Sequence, residues 1–288
     1  MGSGSVSHSS LRAYATANSY SYDESTGRMH GQTYKARNID PSLDPRGFKV
    51  RECCNSAEHP NTIPVILALD VTGSMGSACA ETAAALGTII LNLYKNHKDI
   101  EICVMGIGDL AYDRAPIQMS QFESDIRIAE SLDKIYMEHG GGGNAFESYT
   151  AAWYMGLKRT KLDCFDKQQR KGIIITMGDE PLNPYLPVAG LNGAIDGTEQ
   201  TDVETPALYS AASQKFDIFH IAVDSPDCSY RHYAGDIKAS FGQILGSRLK
   251  VATIQQLAGT IEACINESVT GVAQQPQSAP ATDNTISW

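Results

Sequence analysis

The sequence predicts an α/β fold: a doubly wound, mostly parallel central sheet with helices on both faces. Four short apolar runs, rich in β-branched residues, have the length and composition of buried strands: 63–70, 100–107, 171–177 and 216–223. Segments with apolar residues at helical spacing separate these runs. Strands that alternate with helices pair in parallel through right-handed crossovers, and such sheets bind ligands at the carboxyl ends of their strands.

Composition divides the chain into three parts. Residues 1–58 are rich in Ser, Tyr, Gly and Asn, and we expect an extended Ser/Tyr-rich arm packed on the domain or on a partner. Residues 59–270 carry the strand and helix patterns and form the α/β domain. Residues 271–288, rich in Gln, Pro, Ala, Ser and Thr, are expected to be a flexible C-terminal tail.

Within the domain the first strand leads into a long helix over about 75–96. A turn-rich loop and a short edge strand follow the second strand, and Ser120-Gln121-Phe122-Glu123 is typical of a capping box that opens a helix. Residues 178–204 are predicted to be an irregular loop, and loops of that length usually have a function. The other predicted elements are helices over 146–158, 206–215 and 230–245, a strand over 248–252 and a last helix marked by Ile254, Leu257, Ile261 and Ile265.

Charge and cysteine content exclude several classes of protein. The chain has 23 basic and 33 acidic residues, a formal net charge of −10, which argues against nucleic acid or an anionic membrane as a partner. Its apolar runs are too short to span a bilayer, and its N-terminus has no apolar signal-peptide core. Seven cysteines without a C-x-x-C pair are typical of reduced thiols, and we expect a cytoplasmic protein.

The segment that follows the first strand has the chemistry of a metal site. Asp70, Thr72 and Ser74 occupy alternate positions between a buried strand and a helix, so their oxygens can converge above the strand end. Carboxylate and hydroxyl oxygens suit a hard divalent cation, and Mg²⁺ requires an octahedron of them. The alternative is that Thr72 or Ser74 caps the helix without a metal.

This D-x-T-G-S segment, followed by Met75, resembles the metal-ion-dependent adhesion site of the von Willebrand factor A family. The order of predicted elements over 59–270 also resembles that family, which implies its Rossmann-like fold. The glycine-rich run before Asn144, together with Gly178-Asp179-Glu180-Pro181, resembles a bacterial and phage branch related to the von Willebrand A domains joined to alpha-kinases.

The resemblance implies two further metal-binding loops, in which this chain departs from the family pattern. Asn144 stands after the glycines where the family has Thr, and Met177 stands where the family has Asp. Asn144 can offer a carbonyl oxygen, with Glu147 as an alternative donor and a helix N-cap as an alternative role. Asp179 lies two residues after Met177 and can reach the site through a changed turn. The expected metal ligands are therefore Asp70, Thr72, Ser74, Asn144 and Asp179.

The function implied by the resemblance is binding rather than catalysis. Mg²⁺ in this site, with Mn²⁺ or Ca²⁺ as alternatives, would accept an Asp or Glu carboxylate from a protein partner. The loops over 108–114 and 178–204 are expected to frame the partner surface. Asp109 and Asp113 follow the second strand near the same rim, where they could add negative potential, but we expect them to be exposed, solvated carboxylates.

Two other functions fit part of the pattern. Asp70-Val71-Thr72-Gly73-Ser74 and Gly178-Asp179 resemble motifs of haloacid dehalogenase-like phosphoryl-transfer enzymes, in which Asp70 would be the nucleophile. Thr72 cannot replace the second Asp that acts as acid and base in the hydrolases of that superfamily. The remaining alternative is a structural component of a phage or bacterial assembly that uses the Tyr-rich arm as its contact.

Overall fold

The computed structural model describes residues 4–31, 36–75, 77–138, 143–144 and 146–271. It is a mixed α/β structure around a six-stranded central sheet with helices packed against it. The strands of this sheet lie in the order β12 (Leu249–Ala252), β11 (Phe216–Val223), β8 (Gly172–Gly178), β4 (Ile63–Asp70), β5 (Ile100–Ile107) and β6 (Ile117–Met119). Every neighbouring pair is parallel except β5 with β6. The mostly parallel sheet predicted from the sequence is confirmed.

Shorter strands form three two-stranded pairs: β1 (Ser21–Asp23) with β2 (Arg28–His30), β3 (Arg51–Cys53) with β7 (Thr160–Leu162), and β9 (Tyr185–Leu186) with β10 (Val203–Glu204). The helices are α1 (His8–Ala17), α2 (Ser77–Asn96), α3 (Arg127–Asp133), α4 (Thr150–Arg159), α5 (Asp163–Asp166), α6 (Val188–Ile195), α7 (Thr205–Lys215), α8 (Tyr230–Leu245) and α9 (Leu257–Thr270).

The two faces of the sheet pack into separate apolar clusters. Along β4, Val65 and Leu67 join the cluster that contains residues of α2 and α9. Ile66 and Ala68, which alternate with them, join the cluster that contains residues of α4, α7 and α8. This alternation follows from the two-residue period of a strand and buries both faces of the central strand.

One predicted helix start is wrong. Ser120-Gln121-Phe122-Glu123 does not cap a helix, because the Val104 amide donates to Ser120 Oγ (2.9 Å) and Glu123 pairs with Ile102 of β5. These residues extend the sheet edge, and α3 begins only at Arg127. Helix α4 likewise begins at Thr150 rather than near residue 146.

The loop predicted over 178–204 contains more regular structure than expected. It holds the short strands β9 and β10 and the helix α6 between them. Gly190 of α6 lies against the loop after β5, where an added Cβ would overlap the carbonyl oxygen of Leu110. Glycine therefore allows these two loops to pack directly together.

The segment before residue 59 is only partly extended. Helix α1 and the β1–β2 hairpin pack on α2, with Leu11, Ala15 and Met29 buried in the same cluster as that helix. Strand β3 pairs with β7 beside the main sheet. Of the predicted tail, residues 272–288 lie outside the described residues. Within the described ranges, no helix is both long and apolar enough to cross a membrane.

Candidate functional site

Strand β4 delivers the first group of polar side chains to the carboxyl edge of the sheet. Asp70 is its last residue and is fully buried between β5 and β8. The chain turns at once, and Thr72 donates to Asp70 Oδ1 from its backbone N (3.0 Å) and from its Oγ1 (2.6 Å). A single turn of 3-10 helix over 73–75 then brings Ser74 Oγ to 3.1 Å from Thr72 Oγ1.

Strand β8 delivers Asp179 to the same point. Ser74 Oγ donates to Asp179 Oδ1 (3.0 Å), and the Ser229 amide before α8 donates to Asp179 Oδ2 (2.6 Å). Met177 occupies a core position on β8 and is 1% exposed. The structure therefore brings Asp70, Thr72, Ser74 and Asp179 together through hydrogen bonds. Asp179 reaches this point although it lies two residues after Met177, the position at which the family pattern has Asp.

Tyr149 is a site residue that the sequence analysis missed. Its buried hydroxyl donates to Asp70 Oδ2 (2.6 Å) and accepts a hydrogen bond from the Glu180 amide (3.3 Å). Gly178 makes this approach possible, because a Cβ at that position would overlap the phenol of Tyr149. The sequence shows the glycine of Gly178-Asp179, but it does not show that Tyr149 packs against it, because the two residues are far apart along the chain.

The structure describes the second predicted loop only in part. The described residues include no hydrogen bond from the Asn144 side chain, and α4 begins six residues later, so Asn144 does not act as its N-cap. Residues 139–142 and 145 lie outside the described residues. Glu147 is 4% exposed, and its Oε2 has no hydrogen-bond partner within the described ranges.

The loop after β5 is also different from the prediction. Asp109 was expected to be exposed, but it is buried, with its Oδ1 accepting from the Ala111 amide (2.8 Å). Asp113 is half-buried and accepts a hydrogen bond from the Asp109 amide on its Oδ2 (2.7 Å). Both carboxylates therefore accept hydrogen bonds from backbone amides of the turn.

Burial and mutual repulsion raise the pKa values of this group of carboxyls. For Asp70, burial raises the pKa, and the negative charge of Asp179 raises it further. Burial also raises the pKa of Asp179. The pKa of Glu147 is strongly raised by burial and then by Asp70, and that of Glu180 rises to about 7 through burial and then Asp179. A bound cation would favour the ionised form of each carboxyl.

The donor set fits a hard divalent cation. Four oxygens follow one another at successive distances of 2.6, 3.1 and 3.0 Å: Asp70 Oδ1, Thr72 Oγ1, Ser74 Oγ and Asp179 Oδ1. We call this set the row of oxygens. Neighbouring ligands in an octahedron with Mg–O bonds of about 2.1 Å lie about 3 Å apart. Thr72 Oγ1 and Ser74 Oγ also lie within hydrogen-bond distance of each other, and either hydroxyl can donate to the other.

These residues do not form a site of the carboxylate-only or histidine type. Within the described ranges, no three His, Cys, Asp or Glu side chains are arranged to hold a metal ion. A site made by the row above would depend on two carboxylates and two hydroxyls. Such a set leaves coordination positions for water or for an external oxygen.

No protein-family model and no curated protein matches the chain. Among solved structures, the chain is similar to the pilus adhesin SpaC from Lactobacillus rhamnosus GG in an open conformation, with a TM-score of 0.49 and 10% identity over 75% of this chain and 31% of the adhesin. It is also similar to proximal thread matrix protein 1 from the mussel byssus, with a TM-score of 0.45 and 11% identity over 71% of this chain and 47% of that protein. The chain thus spans about a third of the adhesin and about half of the byssus protein. At these values the similarities assign neither a family nor a function.

Proposed function

We propose that this chain is a von Willebrand factor A-type protein of the bacterial and phage branch, with a doubly wound, Rossmann-like domain that binds a protein partner through a divalent cation. The observation that carries the proposal is the row of four oxygens from Asp70 to Asp179, spaced like neighbouring ligands of Mg²⁺. The proposed cation is Mg²⁺, and Mn²⁺ and Ca²⁺ are alternatives for the same oxygens.

Each residue of the row has a distinct role in this proposal. Asp70 and Asp179 supply the negative charge, while Thr72 and Ser74 supply neutral oxygens. When bound, the cation would supply an electrophilic position for the carboxylate of a partner's Asp or Glu. Tyr149 orients Asp70 by donating to Oδ2, which leaves Oδ1 directed at the row. Asn144 remains a proposed contributor, directly or through water, without a supporting contact.

The proposed partner surface consists of the two loops that pack together beside this site. Tyr112 in the loop after β5 is 59% exposed, and Tyr185 in the loop after β8 is 40% exposed. Exposed large apolar side chains are few in the described part of the chain, and tyrosines are frequent energetic centres of protein interfaces. Their location on these two loops supports protein binding at this edge of the sheet.

Binding without catalysis, in a reducing cytoplasmic setting, is part of the same proposal. Asp70 needs no nucleophilic role in this proposal, because both of its carboxylate oxygens accept hydrogen bonds at the site. All seven cysteines are free thiols. The deeply buried ones, such as Cys103, have their pKa raised by burial, which suits small apolar core residues rather than reactive thiols.

The proposal is tested by metal binding and by affinity capture. Titration of the full chain with Mn²⁺, followed by loss of the free-ion electron paramagnetic resonance signal, should show one ion per chain, displaced by Mg²⁺ and absent in Asp70→Ala. Capture from a host lysate should give partners in Mg²⁺ that are lost in EDTA and with Asp70→Ala. Exposed Asp236→Ala is the matched control and should behave as wild type. Absence of ion binding, or phosphoryl transfer to Asp70 from a phosphoryl substrate, would refute the proposal.

A further inference from the structure

Both carboxylates of the row of oxygens have their second oxygen held by a donor from elsewhere in the protein. The Tyr149 hydroxyl donates to Asp70 Oδ2 (2.6 Å), and the Ser229 amide donates to Asp179 Oδ2 (2.6 Å). The first oxygen, Oδ1 in each case, accepts from a hydroxyl of the row. Each carboxylate therefore directs one oxygen at the row and has the other bonded outside it.

The Tyr149 hydroxyl is fixed toward Asp70 by the packing of its ring. The side chain is fully buried, and its phenol lies so close to Gly178 that a Cβ there would overlap it. The ring also packs edge-on against His220, with ring centroids 5.1 Å apart, and lies 5.7 Å from the ring of Phe241. No water can replace Asp70 as the acceptor of this buried hydroxyl, so breaking the contact is costly.

The donor to Asp179 is equally fixed, because it belongs to the backbone. Ser229 directly precedes α8, and its carbonyl accepts from the His232 amide (2.9 Å) in the first turn of that helix. An amide at the start of a helix has no acceptor within the helix, and the carboxylate supplies one. Rotation of Asp179 to present both of its oxygens to an ion would remove that acceptor.

The candidate cations differ in how many oxygens they require. Mg²⁺ takes an octahedron of oxygens at about 2.0–2.1 Å, whereas Ca²⁺ takes up to about eight at about 2.3–2.6 Å and often binds both oxygens of a carboxylate. The row offers one oxygen from each of its residues, which suits the smaller ion. The two carboxylates can offer more only by giving up their bonds to Tyr149 and Ser229.

We propose that Tyr149, together with the Ser229 amide, sets the ion preference of this site by restricting each carboxylate to one coordinating oxygen. This inference rests on the proposed divalent-cation site, and it assigns Tyr149 as a positioning residue that acts through Asp70. The restriction raises the affinity for Mg²⁺ relative to the affinity for Ca²⁺. Tyr149 is not among the ligands that the family resemblance implies, so this role does not follow from the resemblance.

The test compares Tyr149→Phe with wild type in the full chain. Bound Mn²⁺, followed by electron paramagnetic resonance, is displaced by Mg²⁺ in one titration and by Ca²⁺ in another. The ratio of the Mg²⁺ to the Ca²⁺ association constant should fall by about tenfold or more in Tyr149→Phe, because Asp70 can then offer both oxygens. Tyr154→Phe is the matched control: it removes a phenol on α4 that donates to Glu199 Oε1 (2.7 Å), and the ratio should persist.

A second variant removes the other donor. Ser229→Pro has no amide hydrogen to give to Asp179, and the φ of −75° at this position suits proline. The Mg²⁺ to Ca²⁺ ratio should fall in this variant as well. Urea unfolding first establishes that each variant folds, and Ser229→Pro decides the test if Tyr149→Phe does not.

The outcomes separate this inference from the function on which it rests. If wild type binds Mn²⁺ and Tyr149→Phe weakens Mg²⁺ and Ca²⁺ by the same factor, the hydroxyl has only a structural role and the inference on ion preference is overturned. An unchanged affinity for both ions would overturn it as well. Absence of Mn²⁺ binding by the wild-type chain would instead count against the proposed divalent-cation site itself.

Discussion

Tyr149 and Gly178 approach each other so closely that no side chain larger than hydrogen fits at position 178. This contact lets the Tyr149 hydroxyl reach Asp70 Oδ2 at 2.6 Å across the carboxyl end of β8. The arrangement links the start of α4 to the ends of two central strands. It explains how an aromatic core residue comes to orient a carboxylate at the edge of the sheet.

Substitution Gly178→Ala should therefore destabilise the protein and disturb the site. The added methyl group overlaps the phenol of Tyr149, and overpacking of a buried position costs about 1–3 kcal/mol. Urea unfolding should show this loss together with weaker Mn²⁺ binding. Gly235→Ala in α8 is the control, because nothing lies within 4 Å of its added Cβ, and it should be neutral or slightly stabilising. Equal stability of the two variants would contradict the contact.

Substitution Asp70→Asn should raise the stability of the metal-free protein while removing its response to Mg²⁺. The folded-state pKa of Asp70 is raised by burial and by Asp179, so ionisation of this carboxyl costs folding free energy. That cost grows as the pH rises above the ordinary value of 3.8, and the advantage of Asn should grow with it, reaching at least about 1 kcal/mol at pH 8.

Thermal unfolding at several pH values, in EDTA and in Mg²⁺, checks this prediction. Wild-type protein should gain about 2.7 kcal/mol at a Mg²⁺ concentration of about one hundred times the dissociation constant, whereas Asp70→Asn should gain nothing. If Asp70→Asn is less stable than wild type in EDTA at high pH, the prediction is wrong, and the metal-free fold stabilises the Asp70 carboxylate.

Substitution Ser74→Ala should weaken Mn²⁺ binding without unfolding the protein. Ser74 connects Thr72 to Asp179 and is only half-buried, so its loss breaks the row of oxygens at small cost to packing. We expect a loss of affinity of about tenfold or more. Exposed Ser210→Ala is the control. Unchanged Mn²⁺ affinity in Ser74→Ala would mean that the hydroxyl is not a ligand.

His220 should make stability fall as the pH is lowered. Its ring is fully buried, stacks on Phe241 at 3.7 Å and contacts Thr176 Oγ1 at 2.8 Å, and burial lowers its pKa to about 3. The unfolded chain, with the ordinary value of 6.5, therefore takes up a proton between pH 6.5 and 3 that the folded chain does not.

Each pH unit in that window should cost about 1.4 kcal/mol through this group. His220→Phe keeps an aromatic ring against Phe241. It should reduce the slope of the unfolding free energy against pH by the contribution of one proton. Exposed His232→Phe is the matched control and should retain the contribution of His220. Identical slopes for His220→Phe and wild type would refute the assignment.

Substitution Tyr112→Ala should reduce partner capture and leave metal binding intact. Tyr112 is 59% exposed on a loop beside the row of oxygens, and truncation of a central interface tyrosine costs about 2 kcal/mol or more. Val251→Ala, at an exposed position on edge strand β12, serves as the control. Equal partner recovery from the two variants would place the interface elsewhere.

Local pattern was sufficient to predict the main elements. The bounds of β4, β5, β11 and α8 agree with the runs read from the sequence, because each combines a clear apolar period with flanking turn residues. The false helix start at Ser120 shows the limit of this reasoning. The same polar side chain can cap a helix or accept a strand amide, and only the neighbouring β5 backbone decides between them.

The sequence by itself determined the alternation of strands and helices and the cluster of oxygen-bearing side chains after β4, because both depend on residues within one or two turns of each other. Tertiary structure alone decided that Asp179 meets Ser74, that Tyr149 reaches Asp70, and that Asp109 and Glu147 are each buried. These contacts join residues up to 105 positions apart and depend on how parallel strands end at a common edge. A local pattern of residues cannot predict contacts between residues so far apart in the sequence.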